Sequence, residues 1–107
     1  MAWDLILVKT EKNAEPEFDE NNLIPFDLKI VKKLLKHKFS GLESRSDAWF
    51  NYEAGNFAIS FNLAVHNQII LHIHILDDSE DAVESIIEEL CELFNCRAYD
   101  TTAGKFL

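Results

Sequence analysis

Alternation of apolar and polar residues is the clearest pattern in the chain, and it predicts strands. Residues 57–63 alternate strictly, and residues 69–76 place isoleucine or leucine at every second position. Residues 3–8 are almost continuously apolar, which is typical of a central strand covered on more than one side. Residues 49–53 and 97–101 read as shorter strands. The pattern therefore predicts a sheet of about five strands.

Two segments have helical spacing instead. The first covers residues 25–39, with lysines on its polar side and an apolar face made of Phe26, Ile30, Val31, Leu34 and Leu35. The second covers residues 80–94, with N-cap candidates at residues 77–79 and an apolar face made of Val83, Ile86, Ile87, Leu90 and Phe94.

The resulting order, β-α-β-β-β-α-β, predicts an α+β domain spanning residues 1–107. Two helices on one face of an antiparallel-dominated sheet would bury both apolar stripes, which gives a two-layer sandwich. This plan is a variant of the ferredoxin-like split βαβ arrangement. Residues 10–22 are polar and acidic and read as a long loop, a kind that is often functional or mobile.

Composition narrows the choice of partner. The 107 residues are 48% hydrophobic, include only three glycines and two prolines, and carry a net charge of −9. Such a charge disfavours binding to nucleic acid or to an anionic membrane and favours a basic partner. No leader segment or apolar stretch long enough to span a membrane is recognised, and the two cysteines, Cys91 and Cys96, fit a reducing compartment. We therefore expect a cytoplasmic protein.

The negative charge is concentrated in two runs. Residues 77–92 contain eight acidic residues and no lysine or arginine, with like-charge pairs four residues apart at Glu80/Glu84, Glu84/Glu88 and Glu88/Glu92. Residues 11–20 form the second run. Two interpretations stay open: a solvated back of the second helix, or a docking surface for a basic partner. The lysines of the first helix would complement a neighbouring acidic helix.

A second group of residues could carry chemistry. His72 and His74 project from one face of a predicted strand, and Asp4 and Asp100 would approach each other if the first and last strands pair. Two close carboxylates could support acid–base chemistry, and two histidines could share a metal if a third ligand were present. No nucleophile motif, phosphate-binding loop or dinucleotide fingerprint accompanies them, so neither an enzyme nor a cofactor is expected.

Several short motifs resemble a family of small, uncharacterised bacterial proteins. They are the opening Met-Ala-Trp3-Asp4, the strand motifs Ile59-Ser60-Phe61-Asn62 and Leu71-His72-Ile73, and the closing Arg97-Ala98-Tyr99-Asp100-Thr101-Thr102-Ala103-Gly104. The resemblance covers most of the chain except the acidic loop and implies a bacterial, cytosolic setting. In type, though not in motif, small acidic domains of this kind resemble the immunity proteins of toxin–immunity pairs.

The sequence thus predicts a non-catalytic protein-binding module, most concretely an immunity protein that neutralises a cationic, nuclease-like toxin as a monomer or weak homodimer. The partner-binding candidates are acidic residues of the two runs together with two aromatic anchors: Asp77, Asp78, Glu80, Asp81, Glu84, Glu88, Glu15, Glu17, Asp19, Glu20, Phe18 and Trp49. The alternatives are a small enzyme or metal-binding domain built on Asp4, His72, His74 and Asp100, and a dimerising, ligand-sensing module.

Overall fold

A computed structural model describes residues 2–10, 23–76 and 78–107. Within these ranges there are two helices, α1 and α2, and eight strands. In chain order the elements are β1 (Ala2–Thr10), β2 (Leu23–Ile24), α1 (Leu28–Lys38), β3 (Glu43–Ser46), β4 (Trp49–Glu53), β5 (Phe57–Asn62), β6 (Ile69–Ile75), α2 (Glu80–Phe94), β7 (Arg97–Asp100) and β8 (Lys105–Phe106).

The strands form one antiparallel sheet in the order β3-β4-β5-β6-β1-β7-β8, and β2 pairs with the end of β1. The α+β class, the antiparallel sheet and the two helices are confirmed, and β1 has a neighbour on each side. The predicted number of strands is wrong, because the described residues form eight rather than about five. Two of the additional strands, β2 and β8, are only two residues long, and β3 has the polar sequence Glu-Ser-Arg-Ser with every residue exposed.

One face of the sheet supplies most of the core. The buried positions of β5 and β6 alternate with less buried ones, and the register aligns Leu5, Leu71 and Phe61 across three neighbouring strands. The buried side chains of both helices belong to the same hydrophobic cluster as this core face. The opposite face carries Asp4, His72 and Ser60. Each is the chain neighbour of one of those three core residues, and the register pairs His72 with both Asp4 and Ser60.

The first helix is shorter than predicted. It begins at Leu28 rather than at residue 25, because Asp27 is the N-cap and its carboxylate accepts the backbone N–H groups of Lys29 (3.1 Å) and Ile30 (3.3 Å). Phe26 precedes the helix and is buried, and Val31 and Leu35 are the buried residues of the helix itself. Ile30, predicted to lie on the apolar face, is 53% exposed.

The second helix is tied to the rest of the fold at both ends. Ser79 precedes it and is buried, and its hydroxyl donates to the carbonyl of Asn56 (3.1 Å) in the turn between β4 and β5. At the other end Asn95 has a left-handed conformation with φ of 50°. This conformation ends the helix and directs the chain into β7.

The edges of the sheet are short. At one edge β3 pairs with β4 through Glu43↔Asn51 and Ser44↔Phe50, and the register then shifts so that Ser46 pairs with Trp49. At the other edge lies the two-residue β8. In the ranges that the structure describes, no helix is both long and apolar enough to cross a membrane.

Candidate functional site: an acidic groove

Four glutamates form a row along α2, each one turn after the last: Glu80, Glu84, Glu88 and Glu92. All four are exposed, and all four line an open groove between α2 and the neighbouring strands. The groove consists of a cavity of about 470 Å³ and a smaller one of about 230 Å³ that share Trp3 and Glu84. We call this feature the acidic groove. The row is therefore exposed to solvent and also borders a concave surface.

The remaining lining of the acidic groove is largely apolar. It comes from the inner side of α2, from β1 and β7, and from the chain after β8, and it comprises Ala2, Trp3, Ile87, Cys91, Cys96, Arg97, Ala98 and Leu107. Trp3 is half-buried, and its indole Nε1 donates to Oδ2 of Asp100 at 3.0 Å. A volume of this size is within the range of small-molecule and peptide side-chain sites.

The carboxylates of the row have no cationic partner in the part of the chain that the structure describes. Among the described residues, no lysine or arginine lies within ion-pair distance of any of the four. The expected complementation between the two helices is made instead by a different pair, Lys38 Nζ to Glu89 Oε2 at 2.6 Å. The groove thus presents carboxylates without ion-pair partners beside a largely apolar surface, and Arg97, whose guanidinium lies over the Phe106 ring, is the cationic side chain among its described lining residues.

This arrangement suits the side chains of lysine and arginine. Residues four apart on a helix rise by about 6 Å, so the row offers carboxylates at regular intervals over about 18 Å. A lysine or arginine can place its charged head on such a carboxylate while its methylene stem lies on the apolar lining. The half-buried indole of Trp3 adds a surface for a cation.

Apart from Trp49, the predicted partner-binding residues fall into three groups. Glu80, Glu84 and Glu88 line the acidic groove, whereas Asp78 and Asp81 are exposed near the start of α2 and do not line it. Six further candidates lie outside the described residues: Glu15, Glu17, Phe18, Asp19, Glu20 and Asp77.

Trp49 is separated from the row. It is 51% exposed on β4, and its indole Nε1 donates to Oδ1 of Asn51 at 3.0 Å on the face opposite the core. The aromatic residue beside the row is Trp3, which was not among the predicted aromatic anchors. Its signal in the sequence was its place two residues before Leu5 on a predicted strand, because residues two apart on a strand lie on the same face.

The alternative site, on the opposite face of the sheet, is only partly assembled. Asp4 Oδ1 and His72 Nδ1 are 2.7 Å apart, and Ser60 is the register partner of His72 on the next strand. The Ser60 hydroxyl, however, donates to Asn51 Oδ1 at 2.8 Å, so its proton points away from the imidazole. A histidine acts as general base only when the nucleophile's proton is directed at it.

Asp100 does not join Asp4. It is the register partner of Leu5, so it lies on the core-face side, whereas Asp4 lies on the opposite face with His72. Its Oδ1 accepts the backbone N–H groups of Thr102 (2.9 Å) and Ala103 (3.0 Å), which makes it a turn-capping residue. Paired-carboxylate chemistry between Asp4 and Asp100 is therefore not supported.

Among the described residues, His72 has one carboxylate beside it, that of Asp4, and the histidines are not part of a larger ligand group. His74 has Ala2 and Ala58 as its register partners on the neighbouring strands. In the parts of the chain that the structure describes, no group of three or more histidine, cysteine, aspartate or glutamate side chains is arranged to hold a metal ion.

Comparison with known proteins gives no family assignment. No protein-family model matches the chain, and no curated protein or solved structure matches it. The functional argument therefore rests on the geometry of the site.

Proposed function

We propose that the protein is a binding module that receives a basic segment of a partner protein in the acidic groove. The observation that carries the proposal is the row of four glutamates, without cationic partners among the described residues, along an apolar groove beside Trp3. Most concretely, the partner is a cationic, nuclease-like toxin and the protein is its immunity protein. An acidic surface speeds encounter with such a partner and covers the basic residues that would contact phosphate.

A protein partner fits the groove better than a small cation does. The row extends over about 18 Å, which is longer than a single lysine or arginine side chain. Residues two apart on an extended strand are about 6.6 Å apart, close to the spacing of the glutamates. An extended segment with basic residues at alternate positions can therefore meet several carboxylates at once.

The setting that we propose is cytoplasmic and bacterial, with the protein acting as a monomer or weak homodimer without nucleic acid or membrane as partner. The net charge of −9 supports this choice of partner. We also infer a two-layer, ferredoxin-like plan for the fold. The order β7-β1-β6-β5, with α1 before β5 and α2 between β6 and β7, supports that inference.

The decisive experiment is charge reversal with a matched control. The product of the adjacent gene is purified, and its binding to the wild-type chain is measured by surface plasmon resonance at low and high salt. The double variant Glu84→Lys/Glu88→Lys changes the acidic groove. The control, Asp47→Lys with Glu53→Lys, makes the same change in net charge at exposed positions that do not line the groove.

We expect the groove variant to raise the dissociation rate at least tenfold, because contacts in the complex are lost. The control should alter chiefly the association rate and its dependence on salt. Equal effects of both variants would contradict a groove-specific contact. Failure of every neighbouring gene product to bind would contradict the toxin–immunity proposal.

Tryptophan fluorescence can show which of the two tryptophans, Trp3 or Trp49, lies at the interface with the partner. The chain has two tryptophans, so Trp49→Phe leaves Trp3 as the single emitter. Binding in the acidic groove should shift the emission of this variant. A shift confined to the Trp3→Phe variant, in which Trp49 remains, would place the partner on the opposite face of the sheet.

A further inference from the structure

Cys91 and Cys96 lie at the two positions that a Schellman turn brings together. The backbone N–H of Cys96 donates to the carbonyl of Cys91 (2.9 Å), and that of Asn95 donates to the carbonyl of Glu92 (3.3 Å). With Asn95 left-handed, these are the two hydrogen bonds that define the motif. The side chains of the first and last residue of such a turn commonly contact each other.

The two thiols also share an environment. Each is only partly buried, and both line the acidic groove beside the Schellman turn that brings their backbones together. A small molecule can therefore reach them from the groove without unfolding of the turn.

We propose that Cys91 and Cys96 form a reversible dithiol–disulfide site that is oxidised by a hydroperoxide entering through the acidic groove. The site lies within one turn, at the junction of α2 and β7. It is separate from the basic-partner proposal, and each can fail without the other.

The two cysteines have different protonation behaviour, which assigns their roles. The hydrogen bond from Cys96 lowers the pKa of Cys91, although burial and the charge of Glu88 oppose this. The same hydrogen bond, together with burial, raises the pKa of Cys96 well above the ordinary range for a thiol, although Lys9 opposes this. We assign Cys91 as the attacking thiolate and Cys96 as the thiol that resolves the intermediate, an order that the two single variants test directly.

The reaction has two steps. The Cys91 thiolate attacks one peroxide oxygen, so that an S–O bond forms, the O–O bond breaks, and the leaving alkoxide or hydroxide takes a proton from water. The Cys96 sulfur then attacks the Cys91 sulfenic acid. The S–S bond forms, the S–O bond breaks, and the hydroxyl leaves as water with the proton of Cys96. The peroxide is reduced and the two thiols are oxidised, and a dithiol reductant reverses the change.

The experiment treats the purified chain with a small excess of hydrogen peroxide, then unfolds it and alkylates any free thiol with iodoacetamide. Trypsin leaves both cysteines on one peptide, residues 46–97, because no lysine or arginine lies between Arg45 and Arg97. We expect this peptide to lose two hydrogens and to carry no alkyl group. Reduction with dithiothreitol before alkylation should restore two alkylated cysteines.

Two single variants test the roles. Cys96→Ser should stop at a sulfenic acid on Cys91 that dimedone traps, and Cys91→Ser should react at least tenfold more slowly. A control independent of variants compares the folded chain with the chain in denaturant, where the turn is lost and the disulfide should form more slowly. Disulfides between molecules only, irreversible oxidation without a disulfide, or equal rates in the folded and unfolded chain would overturn the proposal.

Discussion

The indole Nε1 of Trp3 donates a hydrogen bond of 3.0 Å to Oδ2 of Asp100 and so joins the beginning of the central strand to the turn that follows β7. Asp100 accepts two further hydrogen bonds from the backbone of that turn. One carboxylate therefore orders the turn and also holds the aromatic residue that lines the acidic groove.

The stability of the fold should depend on the charge of Asp100. Partial burial alone would raise the pKa of Asp100. The backbone N–H of Ala103, the Trp3 indole, the backbone N–H of Thr102 and the charge of Lys105 outweigh it, and the pKa lies below the ordinary value of 3.8. Because the folded-state pKa is depressed, this stabilisation is present above the unfolded-state pKa and is lost as pH falls through the folded-state value.

The measurement is the free energy of unfolding of the wild type and of Asp100→Asn from neutral to acidic pH. We expect the wild type to be the more stable at neutral pH and the difference to shrink below about pH 4, where an ordinary aspartate becomes protonated. A difference that stayed constant through the acidic range would contradict this account of Asp100.

Leu71 should be among the most costly positions to truncate. It is fully buried in β6, between Leu5 and Phe61 on the neighbouring strands. Leu71→Ala should lower the free energy of unfolding by about 2–5 kcal/mol, because it removes buried methyl groups and leaves a cavity. Leu76→Ala makes the same change at a side chain that is 66% exposed and should cost no more than about 0.5 kcal/mol. Denaturant unfolding of both variants tests the comparison.

Neutralising one glutamate of the row should stabilise the isolated protein. Glu88 lies one turn from both Glu84 and Glu92, whose like charges repel it, and it lies in the half of α2 nearer the negative end of the helix dipole. Glu88→Gln should therefore raise the free energy of unfolding by about 0.2–0.5 kcal/mol at low salt, and the gain should decrease at high salt.

The neighbouring Glu89 provides a control with the opposite sign. Glu89→Gln makes the same change in net charge but removes the 2.6 Å ion pair with Lys38, so it should be neutral or destabilising by a few tenths of a kcal/mol. Equal effects of the two variants would indicate that net charge alone, and not position in the row, determines the result.

Much of the fold could be predicted because β5, β6 and α2 have strong and regular periodicity over six or more residues. The strand β3 could not, since its residues are all polar and its pairing with β4 depends on backbone hydrogen bonds alone. The exposure of Ile30 could not be predicted either. An apolar stripe shows which side of a helix faces the core, but not how much of that side the core covers.

The candidate site was predictable only in part. The row of glutamates is visible as an i, i+4 pattern, and three of its four members were among the predicted partner-binding residues. The groove beside it was not visible, because it depends on where α2 lies relative to β1 and β7, which are far apart in sequence. For the same reason Trp49 was predicted as an anchor, whereas Trp3 is the tryptophan that the fold brings to the row.

The register shift in β3 has a consequence for how copies of the chain meet. A strand from a second molecule could extend the sheet only by pairing with an outer strand, and cross-molecule pairing of that kind leads to fibrous aggregates. The outer strand beside β4 is β3, which is four residues long, charged and irregular in register. The outer strand at the far end is β8, which is only two residues long. Among the described residues, neither end of the sheet order offers a straight ladder of free backbone groups, so these two ends should resist strand pairing between copies of the chain even at high concentration.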